Sequence, residues 1–314
     1  MIYAPIIIPT LNRKEHLQRC ITSLQKNSWA KYTTLVIGVD YPPSEKYRTG
    51  YDEVCDYLRE EIAGFEHVEI IYHQVNLGPY ENGIFLKKFV RELSDRYIFT
   101  EDDNEMSPNF IEYIDKGLEL FIDTENVIAI CSTGVENENE TADENVVLTH
   151  NYSAHGYGTW FEKEDLFASQ ITRDYFEKLS NNTRKLLMLY RYDPSLIFAC
   201  QSAVFRKENL YRLPDGSIPI LDMTIKIYSV LEDKYVVCPC NRKSRNWGYD
   251  GSGVNCSNIR QKAAEIQIDE RQAFLFKYKK HMRVSKVRQR PSVEIKIRIL
   301  AALCRLKFRN VWRK

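Results

Sequence analysis

The sequence predicts an α/β fold, a doubly wound and mostly parallel sheet with a basic helical appendage at the C-terminus. Three observations lead there. Short apolar runs alternate with amphipathic stretches of helical length through the first 131 residues. Polar turn residues or acids follow those runs. The last 45 residues hold 15 of the 44 Lys and Arg but only 2 of the 43 Asp and Glu. Such alternation favours parallel strands joined by right-handed helical crossovers, which bring the carboxyl ends of the strands to one sheet edge.

Taken in order, Ile2 to Ile8 is a buried strand closed by Pro9-Thr10-Leu11-Asn12. Asn12 is placed to cap a helix over Arg13 to Asn27, where Leu17, Cys20, Ile21 and Leu24 share a face. Thr33 to Val39 is a second strand ending at Asp40, and Tyr51 to Ala63 a helix on Val54, Tyr57, Leu58 and Ile62. Val68 to Tyr72 is the third strand, and the Asn76-Leu77-Gly78-Pro79 turn opens a helix over Tyr80 to Leu93. Tyr97 to Thr100, the fourth strand, runs straight into Glu101-Asp102-Asp103. Ser107-Pro108 reads as an N-cap followed by Pro at the first helical position, starting a helix on Phe110, Ile111, Ile114, Leu118 and Phe121. Val127 to Cys131 returns as a strand.

Beyond Cys131 the alternation stops. Glu136 to Glu144 is an acidic loop, and His155 to Phe161 packs glycines among aromatics. Asp222 begins a helix through Leu231, either as a cap or as a base in a partly dry site. After a late strand at Tyr235 to Cys238, Asn241 to Asn255 joins cations, including Arg245, to a Gly-rich turn; it reads as a diphosphate-enclosing loop or as a surface hairpin. In the tail, Val293, Ile297, Leu300, Cys304, Phe308 and Val311 recur at helical spacing among basic residues. That helix is suited to an anionic membrane surface, or to packing on the protein itself.

Composition narrows the function. A chain of 314 residues with 44% hydrophobic content buries a large core, read here as a domain over residues 1–257 and an appendage over 258–314. The first residues lack a signal-peptide pattern and no run reaches a membrane span, which predicts a cytoplasmic protein, peripheral at most on the inner face of the membrane. The eight cysteines are not arranged as a disulfide framework, and Cys238-Pro239-Cys240 with Cys256 lacks paired zinc-ligand spacing. There is no GxGxxG and no GxxxxGK[ST] loop, which speaks against a dinucleotide-dependent oxidoreductase or a P-loop kinase. Nucleic-acid binding has no motif behind it, and the first 269 residues are acidic. Three adjoining carboxylates at a strand end repel one another unless a cation sits among them, and hard oxygens suit Mg²⁺ or Mn²⁺; a solvated acidic turn is the plainer alternative.

The order Ile6-Ile7-Ile8-Pro9-Thr10-Leu11-Asn12-Arg13, then Asp40, then Asn76-Leu77-Gly78 with Asn82-Gly83, then Glu101-Asp102-Asp103 with Pro108-Asn109-Phe110, resembles the GT-A glycosyltransferases, nearest the broad family-2-like group. The acidic segment is also similar to N-acetylglucosaminyltransferase I. The likeness covers roughly residues 2 to 256 and implies a nucleotide-sugar donor, UDP-linked in most members, with a glycan or lipid-linked acceptor. It implies donor contacts from Pro9, Thr10, Asn12, Arg13, Asp40, Asn76, Gly78, Asn82, Glu101, Asp102 and Arg245. Asp103 becomes the ligand of a divalent metal, and Tyr157, Gly158 and Trp160 the wall of the sugar pocket, although the family often has Trp where Tyr157 stands. Asp222 takes the place of the base of inverting members, without the neighbouring Trp or acid common there. Several residues have structural roles open as well: Thr10 and Asn12 as caps, Asp40, Asn76 and Gly78 as turn formers, and the 155–161 stretch as an aromatic core turn. A sugar-nucleotide nucleotidyltransferase and a non-catalytic, membrane-docked sugar-nucleotide-binding protein remain the alternatives, the first weakened because Pro9-Thr10-Leu11-Asn12 is not its Gly-rich basic loop.

Overall fold

A computed structural model describes residues 2–135, 138–205, 222–252, 265–279, 282–285 and 293–307. The predicted apolar positions Phe308 and Val311, and the Gly253 to Asn255 end of the basic loop, lie outside the described residues. The chain divides into two compact units. The first comprises Met1–Leu148, Ser153–Phe161 and Val237–Arg283; the second comprises Thr149–Tyr152, Glu162–Val236 and Val284–Lys314.

The first unit follows the predicted alternation: β1 (Ile6–Thr10), α1 (Lys14–Gln25), β2 (Thr34–Val39), α2 (Arg48–Leu58), β3 (His67–Tyr72), α3 (Pro79–Arg91) and β4 (Arg96–Phe99). Then come β5 (Asn104–Met106), α4 (Phe110–Leu120), β6 (Val127–Cys131), β7 (Val146–Thr149) and β8 (Tyr157–Trp160). The strand order is β3-β2-β1-β4-β8-β6, followed by β9 (Tyr235–Pro239) and β7. β1 pairs in parallel with both β2 and β4, and β2 with β3, whereas β8 runs antiparallel between β4 and β6. Ile6, Ile7 and Ile8 are wholly buried, as are Leu35, Val36, Ile37 and Ile98. Both faces of these strands are covered, which is why their sequence is continuously apolar rather than alternating. Each such side chain contributes about 1.5–3 kcal/mol on burial. A second, two-stranded sheet pairs β5 with β10 (Ser244–Asn246).

Two predicted helix starts shift. α1 begins at Lys14 with Arg13 at the cap position and no side-chain cap bond, so Asn12 does not cap it. α4 begins at Phe110, with Asn109 rather than Ser107 at the cap position. Asn109 turns its side chain elsewhere, giving Nδ2 to Asp269 and accepting from Lys243 Nζ at 3.0 Å. The described cysteines are free thiols.

The second unit is helical: α5 (Phe161–Gln170), α6 (Arg173–Ser180), α7 (Thr183–Tyr192), α8 (Leu196–Phe205), α9 (Asp222–Leu231) and α10 (Val293–Lys307). Thr172 and Asn182 cap α6 and α7 through their side-chain oxygens, which accept from Tyr175 N–H and Lys185 N–H. Leu186, Leu189, Ile197, Ile225 and Tyr228 are buried. On α10, Ile299 and Ala302 are buried while Ile297 and Leu300 are 64% and 63% exposed. No helix among the described residues is long and apolar enough to cross a membrane.

Candidate functional site

β1 lies between β2 and β4, so the sheet grows in one direction through β2 and β3 and in the other through β4. That reversal places a switch point at the carboxyl ends of β1 and β4, the position at which open α/β sheets bind ligands. Thr10 closes β1 and Arg13 follows it; Glu101, Asp102 and Asp103 follow β4. Pro9 and Asn12 flank Thr10 and Arg13 at the same edge.

Here the acids meet a cation. The Arg13 guanidinium forks across the pair, one nitrogen donating to Asp102 Oδ1 and the other to Asp103 Oδ2 at 2.9 Å. Asp102 Oδ2 accepts from Thr10 Oγ1 at 2.8 Å, and Asp103 Oδ1 from Asn246 Nδ2 at 2.8 Å. The acid side chains are 5% and 6% exposed and Arg13 20%. Burial pushes the Asp102 carboxyl up, and the neighbouring Asp103 charge adds to this, while Arg13 and Thr10 pull it back. For Arg13, burial alone would lower the pKa; the two carboxylates outweigh it and hold the guanidinium firmly charged.

This donor set fits a divalent metal of the hard class. Asp103 and Asp102 offer carboxylate oxygens, and a cation, the guanidinium, already bridges them. Among the described residues no group of three or more His, Cys, Asp or Glu side chains is placed to hold a metal ion. Such acids hold Mg²⁺ or Mn²⁺ together with a substrate's phosphates rather than alone.

Asp40, at the end of β2, is arranged differently. Its Oδ1 accepts the N–H groups of Tyr41 and Leu77 at 2.9 and 2.8 Å, and its Oδ2 accepts Gly78 N–H at 2.8 Å and Asn76 Nδ2 at 3.0 Å. Those four bonds occupy all the acceptor positions of a carboxylate. Gly78 has φ +81°, a conformation that disfavours any side chain, and Pro79 then opens α3. Asp40 therefore shapes the turn that borders the site, and Asn76 and Gly78 are parts of that turn.

A strap covers the acids from the other side. β10 pairs with β5 so that Asn246 lies opposite Asn104 and Arg245 opposite Glu105. Trp247 N–H donates to Asp103 O at 2.8 Å, its indole Nε1 donates to Glu105 Oε2 at 2.8 Å, and Arg19 stacks on the ring at 4.6 Å. Gly248 packs against Asp103 so closely that a Cβ there would overlap the carboxylate. Arg245 lies 3.5 Å from Glu105, and His16 faces Asp250 at 3.3 Å. Asn246, Trp247, Gly248 and Glu105 are the site residues that the sequence reading did not single out. They lie in or beside the acidic and basic segments already marked, but no spacing rule pairs residues 143 positions apart.

Other expected contacts fall elsewhere. Tyr157, Gly158 and Trp160 form β8, inside the sheet and buried. Tyr157 stacks on Phe99 at 5.4 Å, and a Cβ at Gly158 would overlap Ile114 of α4. The glycine there lets a helix approach a strand. Asn82 is also buried: its Nδ2 donates to Gly38 O at 2.8 Å and its Oδ1 lies 3.0 Å from His73 Nε2, which ties α3 to β2. Asp222 is the first residue of α9, in the second unit, and is partly exposed.

The family model that matches the chain is that of glycosyl transferase family 2, over residues 6–213. No curated protein sequence matches it. Among solved structures it is similar to TarS of S. aureus, at 15% identity over 50% of this chain and 28% of that one, with a TM-score of 0.31. It is similar too to the mannosyltransferase PcManGT from Pyrobaculum calidifontis, solved in complex with GDP-Man and Mn²⁺, at 11% identity over 52% of this chain and 46% of that one, TM-score 0.35. Residues 1–349 of TarS match at 11% identity over 98% of this chain and 72% of that one, TM-score 0.39. The matched regions thus span less than half the length of the full TarS and mannosyltransferase chains.

Proposed function

The chain belongs to glycosyl transferase family 2, and on that premise we propose that it moves a sugar from a nucleoside diphosphate donor, UDP-linked, to a hydroxyl of a glycan or a lipid-linked acceptor. The observation that carries the reading is the nearly buried pair Asp102 and Asp103 at the switch point of the sheet, bridged by Arg13. Asp103 would hold a divalent ion, which when bound supplies positive charge to the diphosphate as it leaves. Thr10, Arg13 and Asp102 then orient the donor, the Asp40 turn borders its nucleoside, and Arg245 on the strap adds a further cation toward the phosphates. In the inverting displacement proposed, the acceptor oxygen attacks the anomeric carbon, the bond to the diphosphate breaks, and the acceptor proton passes to Asp222. The exposed Ile297 and Leu300 on a helix in a basic tail support docking on an anionic membrane surface. Leu300→Glu should then weaken binding to anionic vesicles; unchanged binding would leave that helix a purely internal role.

UDP affinity tests the reading. Wild type should bind with Mn²⁺ and lose affinity with chelator, and Asp103→Ala should bind weakly in both. Equal affinity under all four conditions would remove the metal from the site. Asp222→Asn keeps the shape and the helix-capping ability of the acid but cannot take a proton, so turnover should fall by about 10²–10⁴-fold with donor affinity unchanged. Turnover within about threefold of wild type, with chemistry rate-limiting, would take Asp222 out of the mechanism.

A further inference from the structure

We infer that Arg13 is a gate for the metal: it stands in for the divalent ion while the donor is absent, and it gives up Asp103 only when a diphosphate arrives to receive it. The inference rests on the donor-site reading above and adds an order of binding to it. Every oxygen of the two carboxylates is engaged, by Thr10 and Arg13 on Asp102 and by Asn246 and Arg13 on Asp103. Two of those four partners are neutral and fixed in the framework, Thr10 at the end of a central strand and Asn246 in the β5–β10 ladder. The other two are the arms of one long cationic side chain.

The charge balance points the same way. Two carboxylates carry −2 and one guanidinium on them leaves about −1, so a divalent ion arriving while Arg13 stays meets half the acids' charge and the repulsion of the guanidinium as well. A bare divalent ion reaching Asp103 Oδ2 must displace Arg13 or sit beside it, and the backbone at Gly248 covers the same oxygen from the strap side. A diphosphate changes both terms. Its oxygens complete the coordination of a hard cation, and its charge gives the guanidinium an alternative partner with the same forked geometry. The cap position of Arg13 suits such a move, since only its side chain is engaged while its carbonyl stays in α1, accepting Leu17 N–H at 3.0 Å. Metal and donor should therefore bind as a unit, each weakly without the other.

Thermal shift and Mn²⁺ electron paramagnetic resonance test this without any turnover, on wild type, Arg13→Gln and Arg13→Lys, each with Mn²⁺ alone, UDP alone and both. Wild type should show no shift with Mn²⁺ alone and a clear one with both. Arg13→Gln should melt lower than wild type and recover roughly 5 °C when Mn²⁺ alone is added at about a hundred times its dissociation constant. Arg13→Lys keeps the charge but cannot fork, so it should bind Mn²⁺ alone with intermediate affinity, and it carries the test if Arg13→Gln does not fold. Wild type binding Mn²⁺ alone as tightly as either variant would overturn the gate. So would variants that, like wild type, bind Mn²⁺ only with UDP, and that outcome leaves the donor-site reading intact. Failure of all three proteins to bind Mn²⁺ even with UDP removes the metal itself, and the gate with it.

Discussion

At the end of β2 the Asp40 carboxylate is held by three backbone N–H groups and a neighbouring amide, whereas at the end of β4 Asp102 and Asp103 share one arginine side chain. Both sites are acidic, both lie on the same sheet edge and both are almost fully buried. Their neutralising groups differ in kind. Backbone donors cannot leave without undoing the turn, so Asp40 is committed to architecture. A guanidinium can leave when a better partner arrives, so the acid pair keeps its charge available. A buried acid is thus a weak indication of function by itself, and what neutralises it is more informative.

A third acid away from the edge gives the sharpest contrast. Asp269 binds Lys243, whose side chain is wholly buried, and Arg271. Burial draws Lys243 down to about 8, against the pull of Asp269. Asp269→Ala strands that charge and should cost about 3–5 kcal/mol in chemical denaturation, while adding Lys243→Met should recover a large part of it. A single variant as stable as wild type would mean that Lys243 reaches water or that Asn109, which accepts from Nζ at 3.0 Å, suffices alone.

Next in size, Asp40→Asn puts an NH₂ group against N–H donors and should cost roughly 2–3 kcal/mol. Asp103→Asn relieves a like-charge contact and should change stability by less than about 1 kcal/mol. Equal losses in urea titrations of the two variants would break the comparison, because both sites would then be architectural.

A further effect is a pH dependence elsewhere in the first unit. Asp115 on α4 accepts Ala4 N–H at 3.1 Å through Oδ1, while its Oδ2 is buried without a partner, and burial pushes the group up to about 7. The folded state therefore keeps a proton between about pH 4 and 7 that the unfolded chain releases, so this group's contribution to stability falls as pH rises through that window. From pH 5 to 7 the loss should be roughly 2 kcal/mol in wild type and absent in Asp115→Asn, read from denaturation midpoints at both values. Equal pH slopes in the two proteins would show that Asp115 is ionised in the folded state.

Sequence pattern and structure agree where burial alone decides. β1, β2, β4 and β6 are largely apolar because they are buried in the middle of the sheet, whereas the edge strand β3 mixes in His67 and Glu69, and α1 shows Leu17, Cys20, Ile21 and Leu24 one turn apart because that face is buried. The acidic segment stood out because three carboxylates follow an apolar run directly, which asks either for a cation or for solvent. Other features were ambiguous in kind. The Tyr157 to Trp160 stretch alternates glycine with aromatics both in sugar-stacking walls and in core strands, and only its place between β4 and β6 makes it core. Ser107-Pro108 carries a good start signal, yet the helix begins at Phe110 because Asn109 answers to Lys243 and Asp269, far along the chain. Arg13 was visible as part of a turn motif, but its reach to acids 89 and 90 positions away depends on β1 pairing with β4.

The central claim is that the acid pair is a charge site for a nucleoside diphosphate and that Asp40 is not. UDP titration by calorimetry with Mn²⁺, for wild type, Asp103→Asn and Asp40→Asn, at a temperature where all three are folded, tests it directly. Asp103→Asn should lose about a hundredfold in affinity or more while keeping its stability, roughly 3 kcal/mol of charge-assisted binding. Asp40→Asn should lose stability first and affinity only in proportion to the distorted turn. Wild-type affinity in Asp103→Asn, or a larger affinity loss in a fully stable Asp40→Asn, would contradict it.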